Sequence, residues 1–322
     1  MNALINSLIY GIFVLLIVFG IVAYLTWIER KFAGRMQSRI GPYYVGRPHG
    51  WLQPLADVLK LILKEDITPK NVDKLIYNLA PFVVLISATL LYAVLPFSEN
   101  IVISDISVGI LTFIAISSLS IMGAFMAGWA SNSKYPLISA IRGGAQIVSY
   151  EIPLLFSIIV PCALAGSLNA KEIVKAQKIW FILYPVIGQI SFIIFLLSGL
   201  AEENRTPFDI PEAESELVAG FTVEYSSMKF ALFYAAEYAH ILALSALGTI
   251  LFLGGWKGPL LPSPLWFLIK SLFLFLILLW IRWSYLRVRI DQLLGFSWKF
   301  LFPLSVLNLL LTGLVIILRK GG

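Results

Sequence analysis

Two carboxylates of this chain stand inside apolar runs, where a charge is hard to keep. Glu151 sits about one turn into one run. Glu237 lies about seven residues into another, or ~10 Å along a helix at 1.5 Å per residue. A charged side chain at a bilayer centre costs at least ~2.5–3.5 kcal/mol on insertion scales. Such a group pairs, faces water or takes up a proton. Both acids are therefore candidate proton-relay groups, with a snorkelling or interhelical hydrogen-bonding acid as the alternative for each. His240, three residues on from Glu237, shares its helical face. It reads as a buried neutral histidine, or else as a proton relay.

A third group of acids falls in the segment "GLAEENRTPFDIPEAESELVAGFTVEYSS", which holds Glu202, Glu203, Asp209, Glu212, Glu214, Glu216 and Glu224. Only Arg205 opposes them before Lys229. A solvated acidic loop is the default for such a run. Here, though, the acids alternate with Pro207, Phe208, Ile210, Pro211, Leu217, Val218 and Phe221, apolar content that a solvated loop does not need. The segment reads as folded and half-buried. On a helix, Glu212 and Glu216 would share a face, Asp209 and Glu212 would be neighbours, and Glu202 would reach Arg205.

A second informative segment is "ERKFAGRMQSRIGPYYVGRPHGWLQPLADVLKLILKED". Its second half carries a helical stripe of Trp51, Leu52, Leu55, Val58, Leu59, Ile62 and Leu63. Gln53, Asp57, Lys60 and Lys64 face the other way, and only Leu61 breaks the pattern. Pro54 falls in the first turn, where proline is tolerated. Too short and too charged to span, this helix is expected in the membrane interface or against partner subunits. An ordinary helix covering the span ends is the alternative. In the first half, Arg35 and Arg39 are four residues apart, flanked by Gly34, Gly41 and Pro42, a pattern that reads as a positive-inside anchor or as a site for an acidic partner loop or a polar headgroup.

The elements that must position these groups are membrane spans. The 322 residues are 59% hydrophobic and 13% charged, roughly half the charge of a soluble domain. Eight apolar runs are long enough for a bilayer core: approximately 3–28, 76–95, 106–130, 147–166, 179–201, 230–255, 265–281 and 300–318. The fold class is therefore an all-α polytopic membrane protein, one integral domain over 1–322 with an added interfacial helix. The first apolar run lacks a basic leader and reads as a span rather than a cleavable signal. The Lys/Arg balance puts loops one, three, five and seven in the cytoplasm or its equivalent, with both termini outside. That placement explains most of the +6 net charge and leaves nucleic acid little role. The single cysteine, Cys162, reads as a buried small hydrophobe. With two histidines beside it, a metal or iron–sulfur site in this chain is improbable.

Taken together, "ERKFAGRMQSRIGP", "LQPLADVLKLILKED", "RGGAQIVSYEIP", "AEENRTPFDIPEAESELVAGFTVEYSSMKFALFYAAEY" and "RIDQL" followed by "WK" resemble the NuoH-type membrane subunit of respiratory complex I. The likeness runs from the first span to the last. It implies eight transmembrane helices in a chain set where the hydrophilic arm of the complex meets the membrane arm. It also implies a part in the quinone chamber and in coupling quinone reduction to proton pumping. By motif, Glu29, Arg30, Arg35 and Arg39 correspond to the chamber and junction, and the helix around Gln53, Asp57 and Lys60 borders the mouth through which quinone enters. Glu202, Arg205, Asp209, Glu212, Glu214 and Glu216 correspond to the acidic loop facing the quinone tunnel. Glu151, Glu202 and Glu237 correspond to a line of buried acids, with Arg142 close by. Quinone is the implied substrate, and FMN and iron–sulfur clusters belong to partner subunits, one of which holds the terminal cluster. The implied site is a bacterial plasma membrane, or alternatively the mitochondrial inner membrane.

The chain departs from the family pattern in four places. Glu203 stands where the family commonly has threonine, and Leu286 where a proline precedes the arginine. "VGRPHG" is bulkier than the usual turn, and His240 is outside the pattern. Two other readings remain open at this level. A stand-alone proton-coupled transporter would use Glu151 and Glu237, although no inverted repeat is visible. The homologous subunit of a membrane-bound hydrogenase shares the scaffold but reduces no quinone.

Overall fold

A computed structural model of the chain describes residues 2–320, apart from the side chains of residues 2–10, 12, 14, 214, 215, 319 and 320. Among the described residues every regular element is helical. In chain order they are α1 (Asn2–Met36), α2 (Gln53–Leu63), α3 (Lys74–Val94), α4 (Gly109–Ala130), α5 (Lys134–Ala165) and α6 (Ala170–Ala176). They continue with α7 (Ile187–Glu202), α8 (Glu214–Leu217), α9 (Ser227–Phe252), α10 (Ser263–Ser284), α11 (Ile290–Phe296) and α12 (Phe302–Lys320). Six stretches among the described residues are long and apolar enough to cross a bilayer: α3, α4, α5, α9, α10 and the run Ile290–Leu318. α7 is apolar but shorter, and α1 is 35 residues long. Helices suit this composition because backbone in lipid must satisfy its own hydrogen bonds.

Three helices start or end away from the limits read from hydropathy. α5 begins at Lys134, well before Ile147. Pro136 falls in its first turn, where the missing N–H breaks no helical bond. α7 begins at Ile187 rather than Ile179, because Pro185 follows a short 3-10 turn at Phe181–Leu183. α1 runs past Ile28 through Arg35, carrying Glu29 and Arg30 on helix rather than loop.

α9 is the central helix. From Tyr238 to Phe252 every residue is buried, so the helix has no polar face to turn outward. Small residues let its neighbours close on it. A Cβ on Gly199 of α7 would lie 2.5 Å from Leu244, and one on Gly248 would lie 2.7 Å from Phe195.

Loops one, three, five and seven meet at one end of the bundle. Ser227 donates to the carbonyls of Leu61 (3.0 Å) and Lys64 (2.8 Å), which holds the end of α2 against the start of α9. Ser139 of α5 donates to Pro211 O at 2.6 Å, and Val288 N donates to Pro207 O at 3.1 Å. At the other end Asn169 caps α6 and donates to Asp105, while Lys257 Nζ donates to the carbonyls of Lys175 and Gln177.

α2 forms as the apolar stripe implies, but it is turned inside out relative to a soluble surface helix. Leu55, Leu59, Ile62 and Leu63 are exposed on the chain, whereas Pro54, Asp57, Val58, Leu61 and Lys64 line a cavity against α1 and α9. Leu61, the residue that interrupts the stripe, thus belongs to the inward face. Trp51 stacks on Trp27 of α1 with ring centroids 4.8 Å apart, fixing the start of α2.

Candidate functional site

The site is built around α9, on loop five folded against α5. Gln146 Nε2 donates to Ala201 O (2.7 Å), Asn204 Oδ1 (3.2 Å) and Phe208 O (2.7 Å), so one buried amide holds both sides of the turn after α7. Asn204 takes a left-handed backbone, φ 51°, a conformation asparagine tolerates better than most residues. Gly143 leaves room for Pro211, whose side chain a Cβ would meet at 3.1 Å. The turn delivers Arg205 into the bundle, where it is 4% exposed.

There Arg205 meets two carboxylates. Its Nη2 lies 2.7 Å from Glu237 Oε1, and its Nη1 lies 3.5 Å from Glu29 Oε1. Its guanidinium carbon sits 4.7 Å from the Tyr238 ring centroid. Glu29, itself buried, also pairs with Arg282 of α10 and accepts from Tyr238 OH at 2.6 Å. The cluster thus joins α1, loop five, α9 and α10. Burial opposes the charge on Arg205, but Glu237 and Glu29 outweigh it and hold its pKa above the ordinary value. Glu203, just past the end of α7, is pushed well above the usual carboxylate range by burial, with Glu202 adding to the shift and Arg205 opposing it.

Two cavities lie along adjacent faces of α9. The first, about 310 Å³, is lined by Glu202, Glu203, Glu212, Glu237, His240 and Arg282, together with Ser120, Phe221 and Phe233. Ser117 of α4 is near Glu202, and Glu151 is within electrostatic reach of it. His240 Nε2 lies 3.4 Å from Ser87 Oγ of α3. The second cavity, about 750 Å³, is lined mainly by apolar groups of α1, α2 and α9, with Thr26, Arg30, Asp57, Lys60, Lys64, Tyr234 and Tyr238 as its polar members. Arg30 pairs with Asp57 at 2.5 Å, and Gln53 donates to the same carboxylate at 2.9 Å. Among the described residues no cluster of three histidine, cysteine, aspartate or glutamate side chains is arranged to hold a metal ion.

The residues singled out from the sequence fall into separate groups in space. Glu29, Arg205 and Glu237 form the charged cluster, and Glu202 and Glu212 line the acidic cavity. Arg30, Asp57 and Lys60 line the larger cavity, with Gln53 behind Asp57. Glu216 faces outward to Arg142 at 2.6 Å, and Asp209 lies 3.2 Å from Arg287. Arg35, in the last turn of α1, and Arg39, just past its end, are exposed, Arg39 Nε donating to Gln37. The side chain of Glu214 is outside the described ones. Glu202 does not pair with Arg205 at helical spacing, because α7 ends at Glu202 and the chain turns at Asn204. Glu212 and Glu216 do not share a helical face, since α8 covers only Glu214–Leu217.

Arg282, Tyr234 and Tyr238 are members of the site that the sequence did not single out. Arg282 was one basic residue among many at the end of an apolar run. Tyr238 adjoins Glu237 in "AEY", the one signal that could have marked it.

Residues 9–313 match the family model described as NADH dehydrogenase. A protein of Dehalococcoides mccartyi named as a subunit of NADH-quinone oxidoreductase is 50% identical over 307 residues, covering 94% of this chain and 86% of its own length. Proteins of the same name from Anoxybacillus flavithermus and Geobacillus kaustophilus are each 48% identical, covering 95% of this chain and 92% of their own lengths. With the helical bundle and near full-length likeness both in view, the chain belongs to the NADH dehydrogenase family, among the NuoH-type subunits of NADH-quinone oxidoreductase.

Proposed function

We propose that this chain is the membrane subunit of a complex I type enzyme that helps form the quinone chamber and passes the consequence of quinone reduction to the proton-pumping part of the assembly. The observation that carries this reading is the adjacency of the two cavities. A large, mostly apolar cavity suits a hydrophobic ring and tail, and its few polar groups are of the kind that orient a ligand. A cavity rich in carboxylates lies along the next face of α9. Reduction of a quinone to a quinol takes up two electrons and two protons. The electrons come from the partner that holds the terminal iron–sulfur cluster, and FMN and the other clusters also belong to partners. The chain's own work is to bind the ring, exclude water and supply or redistribute protons. NADH, ferredoxin or flavodoxin would each enter the enzyme elsewhere.

In this reading α1 and α7 join the six longer stretches to make eight crossings of a bacterial plasma membrane. The end with loops one, three, five and seven faces the cytoplasm and the peripheral arm, and both termini lie outside. The exposed stripe of α2 then lies at the lipid surface beside the cavity mouth, and Arg35, Arg39 and the Arg142–Glu216 pair are available to neighbouring subunits.

Glu202→Gln and Glu216→Gln in the assembled complex test the reading. Each is expected to lower quinone-dependent turnover and proton pumping, by about 10-fold or more for Glu202, the range in which proton-transfer groups act. Normal assembly with full activity in both variants would overturn it.

A further inference from the structure

Phe230 and Tyr234 line both cavities. They stand one turn apart on α9, their rings nearly parallel (18°) with centroids 6.1 Å apart. On one side is the 750 Å³ apolar space, and on the other the 310 Å³ space with Glu202, Glu203 and Glu237. The two rings differ in one atom that matters here. Phenylalanine offers a proton nothing, whereas a tyrosine hydroxyl both donates and accepts. Tyr234 Oη lies 3.2 Å from Tyr238 Oη, and Tyr238 donates to Glu29 at 2.6 Å. The Tyr234 hydroxyl therefore sits at the end of a hydrogen-bonded path leading to the charged cluster.

We propose that Phe230 and Tyr234 form the partition between the substrate cavity and the acidic cavity, and that the Tyr234 hydroxyl passes protons across it. This rests on the two-cavity reading above. In the transfer, a protonated carboxyl on the acidic side, directly or through water, gives a proton to Tyr234 Oη. The tyrosine gives its own hydroxyl proton to an oxygen of the quinone that has received electrons from the iron–sulfur partner. Tyr234 ends neutral as it began, one O–H bond formed and one broken, and the acid is left as carboxylate. The Phe230 ring blocks the remaining width, keeping the apolar ligand from the acids and bulk water from the ligand.

The test uses the intact complex reconstituted in liposomes. Tyr234→Phe keeps the ring and removes the hydroxyl. Turnover at saturating quinone should fall about 10-fold, since a positioned proton donor is worth at least ~10²-fold and water replaces part of it. KM should stay within twofold, and the solvent deuterium isotope effect on turnover should increase. Wild-type turnover with an unchanged isotope effect overturns the relay. Phe230→Ala opens the partition and should lower the protons pumped per quinone reduced, a ratio that corrects for any loss of turnover. An unchanged ratio overturns the partition. Glu202→Gln in the same preparations separates the two levels of inference. A normal Tyr234→Phe beside an impaired Glu202→Gln sinks the relay alone, and normal behaviour in both sinks the two-cavity reading with it.

Discussion

Arg205 and Lys270 are equally hidden cations, 4% and 6% exposed, at opposite ends of the bundle, and burial is answered differently in each. Lys270 Nζ donates to the carbonyls of Leu253 (2.8 Å), Gly255 (3.0 Å) and Lys257 (2.6 Å). Helix α9 stops at Phe252, so the lysine from α10 satisfies carbonyls at and beyond a helix end that no further turn can reach. Trp180 and Trp266 flank it. Arg205 instead faces the carboxylates of Glu29 and Glu237. A carbonyl dipole cannot change its charge and a carboxylate can. The same hidden charge closes a helix at one end and stands among groups able to exchange protons at the other.

The comparison breaks most visibly at Arg205. Removing one partner of a buried ion pair costs about 3–5 kcal/mol, because the remaining charge stays buried without compensation. Arg205→Leu leaves Glu237 without its arginine and Glu29 with Arg282 and the Tyr238 hydroxyl. The expected outcome is loss of most assembled complex, read on native gels of solubilised membranes, and loss of quinone turnover in what remains. Arg205→Lys keeps the charge but not the fork that reaches both acids, and should assemble better than it turns over. If Arg205→Leu were as active as wild type per assembled complex, the cluster would be packing alone.

Lys270→Met is expected to show the reverse pattern. Hydrogen bonds to a charged group are worth about 1.5–3 kcal/mol, and orphaned carbonyls add to the loss. The melting temperature of the purified complex should fall, while turnover per surviving complex stays at wild type. A turnover defect without a stability defect would place Lys270 in the chemistry and erase the contrast.

How much of this was legible in the sequence follows from the same difference. Acids within apolar runs are rare, so Glu151 and Glu237 stand out from composition. The stripe on α2 is legible because its spacing is local. Arg282 and Lys270 are not, since a cation near a span end looks the same whether it orients the chain, ties down carbonyls or pairs with Glu29. A lysine just inside an apolar run is expected to snorkel outward, yet Lys270 is buried. Tyr234 and Tyr238 read as apolar filling until α1 supplies Glu29, more than 200 residues away in the chain. The late start of α7 and the early start of α5 depend on the local turns before them, which hydropathy does not register.

Glu203 gives the smallest expected effect and the sharpest reading of the acidic end. The groups acting on it are Glu202, Glu237 and Arg205, with Tyr92 also within electrostatic reach. Burial and the neighbouring acids raise its folded pKa against the opposing arginine. In the unfolded chain a glutamate titrates near ~4.3. Below that value both states hold the proton and Glu203 contributes nothing to pH dependence. As pH rises from there to the raised folded value, the unfolded state ionises first, and stability is progressively lost. Glu203→Gln removes this loss. The variant should melt above wild type at pH 8, and the gap should narrow as the pH is lowered toward 4. Melting curves of the purified complex across that range measure it, and a gap that stays constant with pH would mean that Glu203 is as permanently charged as the arginine beside it.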